Sequence, residues 1–366
     1  MAPLARLPER RTGGWQRRQR KPLMLALTVL SALSLWLWTP DLPREQLHKH
    51  YLSAPGDLRT VDPWALHVRD TGPRAAPVVV MLHGFGSSLH TWDVWAEGLS
   101  ATHRVIRIDL PGSGLSPPDP AHDYSDARSV QMLLRLLDDS GVARASWVGH
   151  SMGGRIAWTL AARYPERVDR LVLVAPDGFA SSGFEYGKPI EVSATLGLMR
   201  HVLPKPLLRM NLQAAYAQPD SLSDALIDRY HDLLRAPGAR QAMLERLSQT
   251  VLQEPGPLLR QIKAPTLLVW GEADAMIPFG NARDYLQAIP GSRLVSWPAV
   301  GHVPQEEAAR ASLQAVADFL RSGASGDANA HLGDAVAIGG AHADLGFAQV
   351  RRVTFYGRAV QRVGQP

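Results

Sequence analysis

Six short runs of aliphatic and β-branched residues recur along the chain, and stretches long enough for helices lie between them. The runs are nearly continuous in apolar residues, which is typical of strands that are covered on both faces. Such strands, alternating with amphipathic helices, form a mostly parallel sheet. The sequence therefore predicts an α/β fold with a doubly wound sheet. The predicted strands are Pro77–Leu82, Arg104–Ile108, Ala145–Val148, Arg170–Val174, Thr266–Trp270 and Arg293–Trp297.

The interval between the fourth and fifth predicted strands is much longer than the others. It contains helix-like segments at Ser223–Leu234 and Arg240–Leu252, separated by prolines. We interpret residues 180–257 as a helical cap inserted into a domain that spans residues 58–320. Apolar residues near the start of this insertion are expected to form its own core rather than to line an acyl pocket. They are Leu196, Leu198, Met199, Val202 and Leu203.

Positive charge is concentrated at the N-terminal end of the chain. Residues 1–21 carry seven basic side chains and one acidic side chain, whereas the rest carries 32 basic and 33 acidic side chains. A nearly neutral body argues against binding of nucleic acid. The sixteen residues 23–38 contain no charge and end in Trp36 and Trp38. Tryptophan at the end of an apolar run is typical of a membrane interface.

This pattern predicts a basic cytoplasmic segment at residues 1–22 and a transmembrane signal anchor at residues 23–39. The domain would then lie outside the cytoplasm, in the periplasm of a bacterium, and contact the membrane through this helix. Cleavage of a signal peptide followed by secretion is the alternative, although no small-x-small site follows the run. Residues 41–57 are predicted to be a connector, and the Gly- and Ala-rich residues 322–366 a flexible tail.

A serine between glycines follows the third predicted strand. The sequence reads Gly149-His150-Ser151-Met152-Gly153, and a helical pattern comes next. A G-x-S-x-G sequence between strand and helix forms a tight turn that lifts the serine hydroxyl clear of the sheet. The chain has no cysteine, so a thiol nucleophile is excluded. Ser151 is therefore the predicted nucleophile.

A serine nucleophile needs a base and a group that orients the base. His302 follows the last predicted strand, and Asp274 follows the strand before it. The carboxyl ends of parallel strands meet at one edge of a sheet, where active sites form. At the same edge, the backbone N–H groups of Phe85 and Met152 can converge on a developing oxyanion.

These motifs together resemble the α/β-hydrolase superfamily, in its lipase- and esterase-like branch. The resemblance covers residues 58–320 and includes the HGFG, GHSMGG, GEAD and GHVPQEE segments. It implies that Ser151 is the nucleophile, His302 the general base and Asp274 the partner of the imidazole. It also implies that the Phe85 and Met152 amides stabilise the oxyanion.

The resemblance implies hydrolysis of a small ester or lipid through an acyl-enzyme on Ser151. A cofactor-free haloperoxidase or perhydrolase, or a C–C bond hydrolase, is the alternative with the same triad, and a non-catalytic binding protein is a further one. Meta-cleavage C–C hydrolases typically carry a Gly-Pro-Gly run where this chain has Gly86-Ser87-Ser88. That departure favours hydrolysis of an ester over cleavage of a C–C bond. The oligomeric state stays open.

Other polar residues near these motifs are given supporting roles. Asp177 is a rival for the acid and is interpreted as a turn residue, Asp109 as a loop organiser and His150 as a packing residue. His83 is expected to stabilise the oxyanion loop through hydrogen bonds. No spacing typical of metal ligands or of a phosphate loop is present, so neither a metal nor another cofactor is predicted.

Overall fold

The computed structural model describes residues 37–181 and 185–322, together with residues 24, 25, 28, 29, 31 and 354–356. The predicted cytoplasmic segment, most of the predicted anchor and most of the predicted tail lie outside these residues. Among the described residues, no helix combines the length and the apolar character that crossing a membrane requires.

Nine strands within the described residues form one sheet, in the spatial order β1-β2-β4-β3-β5-β6-β7-β8-β9. Neighbouring strands from β4 through β3 to β8 are parallel, whereas β1, β2 and β9 pair antiparallel with their neighbours. The predicted α/β fold with a mostly parallel sheet is thus confirmed. The strands are β1 (Leu58–Val61), β2 (Trp64–Thr71), β3 (Val78–Leu82), β4 (Arg104–Ile108), β5 (Ala145–His150), β6 (Val168–Val174), β7 (Thr266–Gly271), β8 (Arg293–Trp297) and β9 (Thr354–Tyr356).

Helices cover both faces of the sheet. Along β3, Val80 and Leu82 pack into one apolar core, and Val79 and Met81 pack into the other. Every second residue of such a strand points to the opposite face, so burial on both faces requires an uninterrupted apolar run. The helices are α1 (Arg44–Tyr51), α2 (Asp93–Leu99), α3 (Asp126–Asp139), α4 (Met152–Arg163), α5 (Ala194–Gly197), α6 (Lys205–Gln213), α7 (Asp224–Leu234), α8 (Ala239–Gln249), α9 (Gly256–Leu259), α10 (Asn281–Ala288), α11 (Pro304–Glu307) and α12 (Ala309–Arg321).

Strands β1 and β2 are absent from the six predicted strands. Strand β1 is one edge of the sheet and leaves Leu58 and Thr60 exposed to solvent, and β2 lies between β1 and β4. Strand β2 interrupts its apolar residues with the buried His67 and the partly buried Arg69 and Asp70. An edge strand needs only part of its surface covered, and the polar residues of β2 break its apolar pattern, so neither strand has the continuous apolar run that identified the others.

The chain leaves the sheet after β6 and returns to it at β7, and these two strands pair in parallel. Helices α5 to α8 lie in this interval, which we call the insertion and define as residues 185–255. Leu203, Leu208 and Tyr230 form a small core within it. Leu198 was expected in that core, but 58% of its surface is exposed. A single turn of 3-10 helix carries Leu198 and packs Met199 inward instead.

Candidate active site

Ser151 occupies the turn between β5 and α4 in a strained backbone conformation. Its φ and ψ angles are 52° and −120°, in a region that residues with a side chain rarely adopt. The Ser151 N–H donates to Val174 O at 2.9 Å, which ties the turn to β6. A Cβ on Gly149 would lie 2.4 Å from Gly153 O, and a Cβ on Gly153 would lie 2.5 Å from Leu82 O. Both flanking glycines are therefore required by the close approach of backbone.

His302 and Asp274 lie together beside this turn. His302 Nδ1 donates to Asp274 Oδ2 at 2.8 Å, and both residues are buried. The other carboxylate oxygen of Asp274 accepts from the N–H groups of Met276 at 2.8 Å and Ile277 at 2.9 Å. This arrangement holds the imidazole with Nε2 free to accept a proton.

His302 contacts the residue before Ser151, and no hydrogen bond joins His302 to Ser151. The ring of His150, the residue before Ser151, lies 4.7 Å from the ring of His302. In the part of the chain that is described, Ser151 Oγ has no hydrogen-bond partner. Nucleophile–base contacts are often loose in structures without substrate. The Ser151 side chain is only partly buried, so a substrate can reach its hydroxyl.

Asp177 lies near the site but serves a different partner. Its carboxylate pairs with Arg155 Nε at 3.1 Å, and its backbone N–H donates to Ser151 O at 3.1 Å. Burial raises the pKa of Asp177, and the positive charge of Arg155 acts in the opposite direction. The imidazole of His302 is bonded to Asp274 and not to Asp177.

The two residues predicted to supply backbone donors to an oxyanion, Phe85 and Met152, lie close to the serine turn. Within the described chain, the N–H groups of Phe85 and Met152 donate to no protein acceptor, and both residues line one cavity. A Cβ on Gly84 would lie 3.2 Å from Ser151 Cβ, so the loop before Phe85 passes directly beside the serine. This arrangement leaves two free donors next to the hydroxyl.

His83 holds this loop in place. Its Nε2 accepts from the Leu110 N–H at 3.0 Å, so its proton is on Nδ1, which donates to Gly84 O at 2.8 Å. Burial lowers the pKa of His83, in keeping with a neutral ring. A neutral ring can satisfy one donor and one acceptor at once, which is what the loop requires.

Asp109 organises the adjoining loops from a fully buried position. Its Oδ1 accepts from the Leu89 N–H at 2.7 Å, and its Oδ2 accepts from the Leu115 N–H at 2.8 Å and from His67 Nδ1 at 2.7 Å. Burial alone raises the pKa of Asp109, but nearby histidines, His67 above all, lower it to about 2. Because both carboxylate oxygens are taken up by these partners, Asp109 is interpreted as a residue that organises the loops.

The insertion contacts the loop that carries His302. The His302 N–H donates to Ala215 O at 2.7 Å. Glu307 Oε2 accepts from the N–H groups of Gly301 at 2.7 Å and Ala217 at 3.2 Å. No local sequence pattern indicates this contact, because it joins residues that are about ninety positions apart.

Two arginines from the insertion line the cavity beside Phe85 and Met152. Arg229 lies 3.4 Å from Glu306 Oε1. Arg246 is buried and donates to Pro111 O at 2.9 Å, and it forms no ion pair with any residue that the structure describes. Burial lowers the pKa of Arg246 to about 10, which leaves it charged at neutral pH.

Residues 77–309 match the family model described as the alpha/beta hydrolase fold. The chain belongs to this family. As an α/β hydrolase it carries serine, acid and histidine in the family's chain order, at the carboxyl ends of β5, β7 and β8. Its glycine-flanked serine turn and its buried His302–Asp274 pair are the features expected of a hydrolase active site.

The α/β hydrolase is similar to several named enzymes. A 2-hydroxy-6-oxononadienedioate/2-hydroxy-6-oxononatrienedioate hydrolase of Comamonas testosteroni is 30% identical over 268 residues, which cover 70% of this chain and 92% of that protein. A 2-hydroxy-6-oxo-6-phenylhexa-2,4-dienoate hydrolase of Burkholderia cepacia is 29% identical and covers 70% of this chain and 92% of its own length. The crystal structure of the enol-lactonase from Burkholderia xenovorans LB400 is 25% identical, with a TM-score of 0.62, covering 72% of this chain and 99% of that one.

Proposed function

We propose that this α/β hydrolase cleaves a small carbonyl compound that carries a carboxylate, and that its substrate is closer to a 2-hydroxy-6-oxo-dienoate than to a simple ester. The observation that carries the proposal is the pair of guanidinium groups, Arg229 and Arg246, in the cavity beside the serine turn. Among the described residues, Arg229 pairs only with Glu306, at 3.4 Å, and the buried Arg246 forms no ion pair. A carboxylate of the ligand would replace the solvation that these guanidinium groups lack.

The related enzymes support the same choice of substrate. Both named hydrolases act on acids that have a ketone in the same molecule. The C–C bond alternative is therefore better supported than the lipase or esterase interpretation, despite the missing Gly-Pro-Gly run. The lactonase relative keeps ester cleavage as the second candidate, since a lactone is a cyclic ester.

The same residues serve both reactions. His302 accepts a proton as Ser151 Oγ, or a water beside it, adds to the carbonyl carbon, and Asp274 stabilises the imidazolium. The carbonyl oxygen becomes an oxyanion that accepts from the Phe85 and Met152 N–H groups. When the bond to the leaving carbon or oxygen breaks, that atom takes the proton from His302. In total, water supplies hydroxyl to the acyl group and hydrogen to the leaving group.

A substrate panel tests this proposal on the full-length protein. We expect kcat/KM for a 2-hydroxy-6-oxo-dienoate to exceed that for a p-nitrophenyl ester of similar size. The Ser151→Ala variant should lose most of either activity, on the order of 10⁶-fold by the precedent of serine proteases. Ser221→Ala, at an exposed serine of the insertion, is the control and should retain the parental rate.

Three outcomes would redirect the proposal. Faster turnover of neutral esters than of the dienoate would restore the esterase interpretation. Peracid formation above both rates would indicate a perhydrolase. If Ser151 fails to react with a fluorophosphonate probe in folded protein, a binding protein without catalysis is the better interpretation.

A further inference from the structure

Residues 37–52, here called the strap, run from the end of the N-terminal apolar run onto the insertion. The Thr39 N–H donates to His201 O at 2.8 Å, and the Leu203 N–H donates to Thr39 Oγ1 at 3.0 Å. The Trp38 ring stacks on the His201 ring, with centroids 5.0 Å apart and an angle of 7° between the planes. The apolar run therefore ends in direct contact with the insertion.

The strap is held along the rest of its length as well. The Leu42 N–H donates to Arg235 O at 2.8 Å, and Arg240 pairs with Asp41 at 2.6 Å. Leu42 and Leu47 are buried against residues that include Leu233 and Ala239. Since Leu233 and Ala239 also line the cavity beside Phe85 and Met152, the strap packs behind the wall of that cavity.

Large apolar side chains remain exposed where the strap meets the insertion. The exposed fractions are 54% for Trp38, 58% for Leu198, 42% for Leu207 and 59% for Met210. Leu207 and Met210 are three residues apart on α6 and thus share one side of the helix, whereas Leu208 is buried on the other. We call Trp38, Leu198, Leu207 and Met210 the docking face.

Basic side chains accompany this docking face. Arg200 is exposed between Leu198 and α6, and Lys205 and Arg209 lie on α6 itself. Lys205 and Arg209 also pair with Asp228 and Asp224, which limits the positive charge of the face. Apolar side chains at the level of lipid tails with cationic side chains at the level of headgroups are typical of interfacial helices.

We propose that the docking face rests on a lipid bilayer and that the strap thereby sets the active-site cavity next to the membrane surface. A bilayer is the expected occupant because the docking face continues the N-terminal apolar run. The sixteen uncharged residues 23–38, which the sequence predicts to lie in a membrane, end at Trp38, and Trp38 belongs to the face. A bilayer that holds the run must lie within reach of α6.

Site-specific labelling of the full-length protein tests this proposal. Because the chain has no cysteine, each of Leu198→Cys and Met210→Cys creates a single site for an environment-sensitive fluorophore. Val94→Cys is the matched control, since Val94 is an apolar residue of α2 that is 40% exposed and lies outside the insertion. The labelled proteins are reconstituted in vesicles of phosphatidylethanolamine and phosphatidylglycerol, with and without lipids that carry a quencher in the acyl chain.

We expect blue-shifted emission and at least about twofold quenching at positions 198 and 210, and neither effect at position 94. Equal quenching at all three positions, no quenching at any, or failure of the protein to associate with vesicles would overturn the proposal. A blue shift at 210 in detergent that grows with protein concentration would assign the face to a second copy of the chain instead. The measurement has no catalytic readout and can be repeated on Ser151→Ala, so its failure is separate from failure of the proposed reaction.

Discussion

His150 donates its Nε2–H to the backbone carbonyl of His302 across a distance of 2.9 Å. Burial lowers the pKa of His150 well below its usual value, so the ring is neutral at neutral pH. The residue before the proposed nucleophile therefore holds the loop that carries the proposed base. The interpretation of His150 as a packing residue missed this bond, which spans 152 residues.

Replacing His150 by phenylalanine removes the donor and keeps a ring of similar size. The buried His302 carbonyl then lacks a partner, which costs about 1–3 kcal/mol. If the loss of this bond displaces His302 from its position in the transition state, we expect kcat/KM to fall by about 10- to 100-fold. Steady-state kinetics and thermal unfolding measure the two effects, and unchanged values of both would show that the bond has no role.

Exchanging each candidate acid for its amide separates their roles. Asp274→Asn leaves His302 without an anionic partner, so kcat should fall by about 10⁴-fold while the protein stays folded. Asp177→Asn instead removes one of the two carboxylates that pair with Arg155, the other being Asp126. We expect that variant to lose stability in urea, with activity per folded molecule within about tenfold of the parent. The reverse pattern would make Asp177 the catalytic acid.

The glycines around Ser151 can be tested against a glycine in open space. A Cβ on Gly153 would lie 2.5 Å from the backbone carbonyls of Leu82 and His83. Gly153→Ala should destabilise the protein by about 1–3 kcal/mol or more, because backbone must move. Gly280→Ala meets nothing within 4 Å at a helical φ of −53° and should raise stability by about 0.4–1 kcal/mol. If the two variants changed the free energy of unfolding in urea equally, the close approach of backbone carbonyls to Gly153 would be contradicted.

Arg229 provides a test of carboxylate recognition. Arg229→Met should raise KM for a substrate with a carboxylate by about 10- to 100-fold, because a charge-assisted hydrogen bond of about 1.5–3 kcal/mol is lost. The KM of the same variant for a neutral ester of the same shape should change by less than about threefold, because that ester makes no ionic bond to Arg229. Arg163→Met, at the exposed end of α4, is the control. An equal loss on both substrates would mean that Arg229 only supports the fold.

The buried carboxylate of Asp109 predicts an acid-dependent loss of stability. Its pKa of about 2 in the folded protein lies below its usual 3.8, so it contributes stability above about pH 4 that is lost as the pH falls towards 2. The stability difference between the parent and Asp109→Asn should narrow by about 1 kcal/mol between pH 5 and pH 3. Urea unfolding at the two pH values checks this, and a constant difference would mean that the pKa is not lowered.

The sequence by itself determined the central strands, the serine turn and the order of the three proposed catalytic residues. Strands β3 to β8 are buried on both faces, which imposes continuous apolar runs. The turn at Ser151 tolerates only glycine at positions 149 and 153. These requirements are local, so the residue types alone carry them. The edge strand β1 and its neighbour β2 were missed because their partial burial imposes no such run.

Only the tertiary structure decided which distant groups complete the site. The His150 bond to His302, the contact of Ala215 with the His302 N–H, and the approach of Arg229 and Arg246 to the cavity each join segments far apart in the chain. Hydrogen bonds and ion pairs require only that two groups meet in space, so they leave no periodic pattern in the sequence. The same holds for the strap, whose connector sequence shows no sign that it packs behind the cavity wall.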